Sequence, residues 1–242
     1  MKFVALIPVR GGSKGIPRKN LLKLEGKSLL EWTVIAARES GEFSRIIVST
    51  DDREIAEVAR SLAVEVAYPR PAELSNDTSL QYDVIKYEMS KLIELDKSLT
   101  HYMLLQVTCP LRNSKDIQNA LMIFKQQKFR SLISVMNADQ YHPSTLYSVI
   151  HSNNSLINMA KDFQHDSERS KGTLRQELSK VMWRNGAIYV GSLVDLKYTN
   201  TLLNSPIGYY EMPWHRSINI DSWENVKQAE LLLKNKLQEE NP

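Results

Sequence analysis

Residues Phe3–Val9 form a near-continuous apolar run, FVALIPV. A run of that kind suits a strand covered on both faces. Similar short runs recur at Arg45–Ser49, Val64–Ala67, Tyr102–Val107, Ser131–Val135, Ala187–Val190 and Gly208–Glu211. Between them, apolar residues return at helical spacing. Leu30, Val34 and Ala37 share a face over Leu29–Glu39, and Ile55, Val58, Ala59 and Leu62 share one over Arg53–Leu62. Leu80–Leu95 and Asp116–Gln126 read as further helices. Trp223–Leu237 reads as an amphipathic helix with Val226, Ala229, Leu233 and Leu237 inward and Asp221 or Ser222 as its cap. Strands alternating with helices of this length predict βαβ units and a mostly parallel α/β sheet flanked by helices.

The rhythm breaks after Met136. Residues 137–182 are polar, with HSNNS at 151–155 and DFQHDSERSKG at 162–172. No linker composition flanks this stretch. The expectation is one domain over 1–242, with 137–182 an insertion used for dimerisation and for the substrate site.

The chain has 242 residues, 42% hydrophobic and 24% charged, with a formal net charge of +3. That balance is ordinary for a globular protein and too weak to point to nucleic acid or a membrane surface. The one cysteine, Cys109, rules out an intrachain disulfide and agrees with a reducing compartment. The N-terminus lacks the charge order of a secretory signal, and no segment approaches the roughly 20 apolar residues of a membrane span. The expectation is a cytoplasmic protein. The five histidines show no metal-ligand spacing.

Cations cluster locally instead. The segment VRGGSKGIPRKN, residues 9–20, leaves the end of the first strand with three glycines and four cations, Arg10, Lys14, Arg18 and Lys19. In open α/β sheets, ligands bind beyond the C-terminal strand ends. Glycines let backbone N–H groups approach an anion, and Lys and Arg supply counter-charge. The loop reads as a polyphosphate cradle, against the plainer reading of a solvated basic turn. It matches neither the Walker A order nor the G-x-G-x-x-G fingerprint. Asp51 and Asp52 follow the second strand, where Asp52 suits a helix cap better than a metal site.

Six blocks stand in order along the chain: PVRGGSKGIPRKN (8–20), IIVSTDD (46–52), YPRPAELSNDTS (68–79), LLQVTCPLR (104–112), RNGAIYV (184–190) and SINIDS (217–222). Together they resemble the CMP-sialic acid synthetase (acylneuraminate cytidylyltransferase) family. The resemblance implies a Rossmann-like fold and a homodimer. It implies transfer of CMP from CTP to the anomeric hydroxyl of a nine-carbon 2-keto sugar acid, with release of pyrophosphate and a need for Mg2+. It implies that the loop residues Arg10, Gly11, Gly12, Ser13, Lys14 and Lys19 hold the triphosphate. Asn20, Arg70 and Ser79 then lie near cytosine and ribose. Gln106, Arg175 and Tyr189 face the sugar, with Arg175 suited to its carboxylate. Asp221 is the metal-binding carboxylate. In phosphoryl transfer, charge at the α-phosphate and the leaving pyrophosphate needs neutralising, a role for Lys19, Arg10 and a cation on Asp221.

Two positions depart from the family pattern. Asn219 stands where a first aspartate is common, so this metal ligand brings an oxygen without charge. Thr145 follows His142-Pro143 where some sialic acid enzymes carry lysine. Legionaminic, pseudaminic and 3-deoxy-manno-octulosonic acids therefore stand beside N-acetylneuraminic acid as substrates. A sugar 1-phosphate substrate and a non-catalytic CTP-binding protein are the other readings. Cys109 reads as a packed small residue, while Arg112 and Arg216 are open between surface charge and phosphate contact.

Overall fold

The computed structural model describes residues 1–13, 15–76, 78–150, 155–158 and 179–240. The chain opens with β1 (Phe3–Pro8), followed by the small pair β2 (Lys23–Leu24) and β3 (Lys27–Ser28). Then come α1 (Leu29–Ser40), β4 (Phe43–Ser49), α2 (Arg53–Ser61), β5 (Glu65–Ala67) and α3 (Gln81–Leu95). β6 (His101–Leu105), α4 (Ser114–Gln126) and β7 (Ser131–Asn137) continue the alternation. β8 (Tyr147–Ile150) and β9 (Ser155–Asn158) form an antiparallel pair of their own. β10 (Met182–Ser192), α5 (Leu193–Tyr198), β11 (Ile207–Glu211) and α6 (Trp223–Glu240) complete the chain.

Seven strands make one sheet in the order β11-β7-β10-β6-β1-β4-β5. β1 pairs in parallel with both β4 and β6, β4 with β5, and β7 with β11. β10 runs antiparallel to β6, with Tyr189 opposite Leu104. The sheet is thus the mostly parallel, Rossmann-like α/β sheet that the alternation predicts, with one reversed strand. The chain divides into two compact units, Met1–Val135 with Arg184–Pro242, and Met136–Trp183. Within the second unit, the Ala138 N–H donates to the Val181 carbonyl and the Tyr141 and Trp183 rings meet edge to face at 5.9 Å.

The apolar run of β1 is buried on both sides, as its composition requires. Phe3, Ala5 and Ile7 join a core with α1, α4 and α6, while Val4 and Leu6 join one with α3 and α5. Each fully buried Leu or Ile contributes about 1.5–3 kcal/mol. Local chemistry sets the helix starts. Ser28 and Glu31 form a reciprocal capping box on α1, and Asn113 and Asp116 form one on α4. Asp52 caps α2, its carboxylate accepting from the Ile55 N–H at 3.0 Å. α1 ends at Gly41, whose φ of 68° favours glycine. Among the described residues, no helix is long and apolar enough to cross a membrane.

Candidate active site

The strands β1 and β6 end on one side of the sheet, and their following loops wall a cavity of about 520 Å³. Lining residues from the sequence reading are Arg10, Gly12, Ser13, Lys19, Asn20, Arg70, Ser79, Gln106, Asn219 and Asp221. Four separate stretches of chain therefore converge on one hollow.

The glycine loop is held by its own polar neighbours. The Gly11 N–H donates to Asp51 Oδ1 at 3.0 Å, and Asn20 Nδ2 donates to the Arg10 carbonyl at 2.8 Å. Gly11 sits so close to α2 that a Cβ there would lie 2.6 Å from Asp52 Oδ2. Gly11 thus serves the turn and is absent from the cavity wall, whereas Gly12 and Gly15 line it. Arg18 turns away from the cavity to pair with Asp52 at 2.5 Å and with Glu54. That pairing holds the Asp52 carboxyl below its ordinary range, with the backbone N–H of Ile55 adding to it.

Lys19 reaches across to the last loop. Its Nζ donates to the Ile220 carbonyl at 2.8 Å and to Asp221 Oδ1 at 2.9 Å. The lysine side chain is 14% exposed and the aspartate 70%, so the carboxylate stays open to solvent while the ammonium is sheltered. Beside them, Asn219 Oδ1 is buried without a hydrogen-bond partner. Most buried polar atoms are hydrogen-bonded, so an oxygen in that state is an exception at the edge of the cavity.

Arg70 is buried, at 6% exposed. Its Nε donates to Ser75 Oγ at 3.0 Å, and its Nη2 lies 3.7 Å from Asp51 Oδ1. Burial pushes the guanidinium down, opposed by Asp51 and Glu88. Glu88 is buried behind it, accepts from Ser49 Oγ at 2.6 Å, and is pushed up by the same burial. Arg10 Nη1 donates to the Asn76 carbonyl at 3.2 Å, and Ser79 Oγ donates to the Glu73 carbonyl at 2.8 Å. The 70–79 loop is therefore tied to the glycine loop across the mouth of the cavity.

Some sequence candidates fall elsewhere. Tyr189 faces the α3 and α5 side of the sheet, 7% exposed, with the Arg184 guanidinium 5.9 Å from its ring. It does not line the cavity, because its place opposite Leu104 points it into that core layer. Arg112 is buried and donates to the carbonyls of Gln106 and Ala187, at 3.1 and 3.0 Å. Arg216 pairs with buried Asp116 at 3.0 Å. Neither arginine is at the cavity. Cys109 is buried, its thiol pushed up to about 11 by burial. Lys14 and Arg175 lie outside the described residues. The sequence reading missed Asn76, Gln81 and Thr108, which also line the cavity. Gln81 had one usable signal, its place at a helix start just after Ser79.

A cytidylyltransferase family model matches residues 4–236. The chain belongs to the cytidylyltransferase family. It is 32% identical over 224 residues, 92% of its length, to an N-acylneuraminate cytidylyltransferase of Streptococcus agalactiae serotype V. The chain spans about half, 51%, of that relative's length. A pseudaminic acid cytidylyltransferase of Campylobacter jejuni is 28% identical over 234 residues, 97% of each chain. Among solved structures, a CMP:2-keto-3-deoxy-manno-octonic acid synthetase complexed with CTP superposes with a TM-score of 0.71. That match covers 98% of this chain and all of the other at 17% identity, which shows a shared fold.

Proposed function

We propose that this cytidylyltransferase-family protein transfers CMP from CTP to the anomeric hydroxyl of N-acetylneuraminic acid or a related nonulosonic acid. The observation that carries the reading is the convergence of Arg10, Lys19 and Arg70 with Asn219 and Asp221 on one cavity. The family match and the two nonulosonic-acid relatives support it. The hydroxyl oxygen attacks the α-phosphorus, the bond to the β-phosphate oxygen breaks, and pyrophosphate leaves with the electron pair. The hydroxyl proton is released.

The chain's residues divide the work. Arg10, Ser13 and the Gly12 backbone face the β- and γ-phosphates. Lys19, sheltered and already oriented by two acceptors, offsets charge at the α-phosphate and the leaving oxygen. Asn20, Arg70 and Ser79 are assigned to the nucleoside, and Gln106 to the sugar. Mg2+ prefers oxygen ligands, commonly one or two carboxylates completed by substrate phosphates. The unpartnered Asn219 oxygen and the exposed Asp221 carboxylate fit that donor set. Among the described residues there is no group of three or more His, Cys, Asp or Glu that could hold a metal. Asn219 and Asp221 would hold the ion together with CTP, and the chemistry it would supply there is neutralisation of phosphate charge and polarisation of the hydroxyl. A homodimer through 137–182 is part of the proposal, supported by exposed Tyr141 and Tyr147 within that stretch and exposed Trp183 directly after it.

Pyrophosphate release with CTP and Mg2+ is the test, against N-acetylneuraminic, legionaminic, pseudaminic and 3-deoxy-manno-octulosonic acids. Release with one acid names the substrate. CTP binding without release for any of them would replace this reading with a non-catalytic nucleotide-binding one.

A further inference from the structure

Gln81 brings chemistry to the cavity that the residues named above do not account for. It is the first residue of α3, and it lines the cavity beside Gln106. Gln106 Nε2 donates to Gln81 Oε1 at 3.0 Å. The Gln106 carboxamide is confined on its other side too. Gly186 has φ +81°, and a Cβ there would stand 2.7 Å from Gln106 Oε1. The Gln106 main chain is held from behind, its carbonyl accepting from Arg112 Nη1 at 3.1 Å. One N–H of Gln106 is therefore directed at Gln81, and its oxygen rests against the Gly186 backbone.

A carboxamide carries two N–H donors and one acceptor oxygen. Gln81 uses its oxygen on Gln106, and among the described residues its Nε2 has no hydrogen-bond partner. Gln81 thus presents donors to the cavity, next to the second N–H of Gln106. This face is neutral and donor-rich. It suits an acceptor oxygen such as a hydroxyl or an acyl carbonyl, and it offers no charge to a carboxylate. Sites built to hydrogen-bond a substrate group discriminate strongly against analogues that lack it.

We infer that Gln81 is a specificity-determining residue that donates from Nε2 to a neutral oxygen substituent of the sugar acid, alongside Gln106. The inference rests on the proposed activity, in which a sugar acid binds beside CTP. Its rival is that Gln81 merely orients Gln106. A double-mutant cycle separates the two, with steady-state KM for both substrates measured in wild type, Gln81→Ala, Gln106→Ala and the double variant. Gln81→Ala should raise the sugar-acid KM about tenfold in both backgrounds, the scale of one lost hydrogen bond, with the CTP KM within about twofold of wild type. An effect that vanishes in the Gln106→Ala background would overturn the inference and leave Gln81 as a positioning residue. A rise in the CTP KM instead, or no change in either constant, would overturn it as well. Wild-type protein that binds CTP but releases no pyrophosphate with any sugar acid would sink the proposed activity and this inference together, before any variant is compared.

Discussion

Lys19 and Gly186 show how single residues set the cavity. Lys19 Nζ is held between a carbonyl and a carboxylate, so its charge is aimed before a ligand arrives. Preorganised charge of that kind acts on the transition state without reorganisation. Lys19→Ala should lower kcat by at least about tenfold, because the lost interaction grows as charge develops. The thermal melting curve should shift only slightly, since the Asp221 carboxylate is open to solvent and regains water when the pair is lost. Near-normal turnover in Lys19→Ala would refute this role. Gly186 has a different task. Its left-handed backbone disfavours any side chain, and its missing Cβ leaves room for Gln106. Gly186→Ala should cost about 1–2 kcal/mol from the backbone alone and displace Gln106. Chemical denaturation should show the destabilisation, and a variant as stable as wild type would contradict it.

At the scale of elements, caps and ion pairs fasten the loops that carry the site. Asp52 caps α2 and also pairs with Arg18, the residue just before Lys19. One carboxylate thereby links the first turn of α2 to the glycine loop. Its carboxyl is held below the ordinary value of 3.8. A group depressed in the folded state stabilises the protein above its unfolded pKa, and that stabilisation is lost as pH falls through the folded pKa. Asp52→Asn should keep the cap, because asparagine serves equally there, and remove the titrating charge. Between about pH 5 and about pH 3, the wild-type melting temperature should fall more steeply than that of the variant. Parallel slopes would show that Asp52 does not contribute to acid stability. The Asp52 cap was legible because an Asp just before a helical pattern suits that use, whereas the Ser28 and Asn113 capping boxes came only with the structure. The short α5 was not, since six residues hold too little periodicity to read. Ser155–Asn158 gave no clear signal for the same reason.

For the whole molecule, the proposed dimer is the main prediction. Tyr141, Tyr147 and Trp183 are exposed in the Met136–Trp183 unit, and large exposed aromatics grouped in one segment favour a partner surface. Light scattering at micromolar concentration should give twice the chain mass of 27.8 kDa. A monomeric mass would remove the insertion's assigned role. Sheet order also belongs to this scale. β10 lies between β6 and β7, although some 45 residues of chain separate it from β7, by the observed element bounds. Nothing local in a sequence states which strand a returning segment will join.

Periodicity determined most of the helices and strands, because burial of one face imposes a repeat that any fold must respect. The clustering of glycine and cations after β1 also singled out a loop that walls the cavity, since that composition is written in consecutive residues. The tertiary structure decided the rest. It set Lys19 against Asp221, 202 residues away, and Gln106 against Gln81. It turned Tyr189 into a core layer and Arg112 under the sheet end. Which polar side chain meets a cavity depends on strand register and loop closure between distant segments, and those are settled only when the whole core packs.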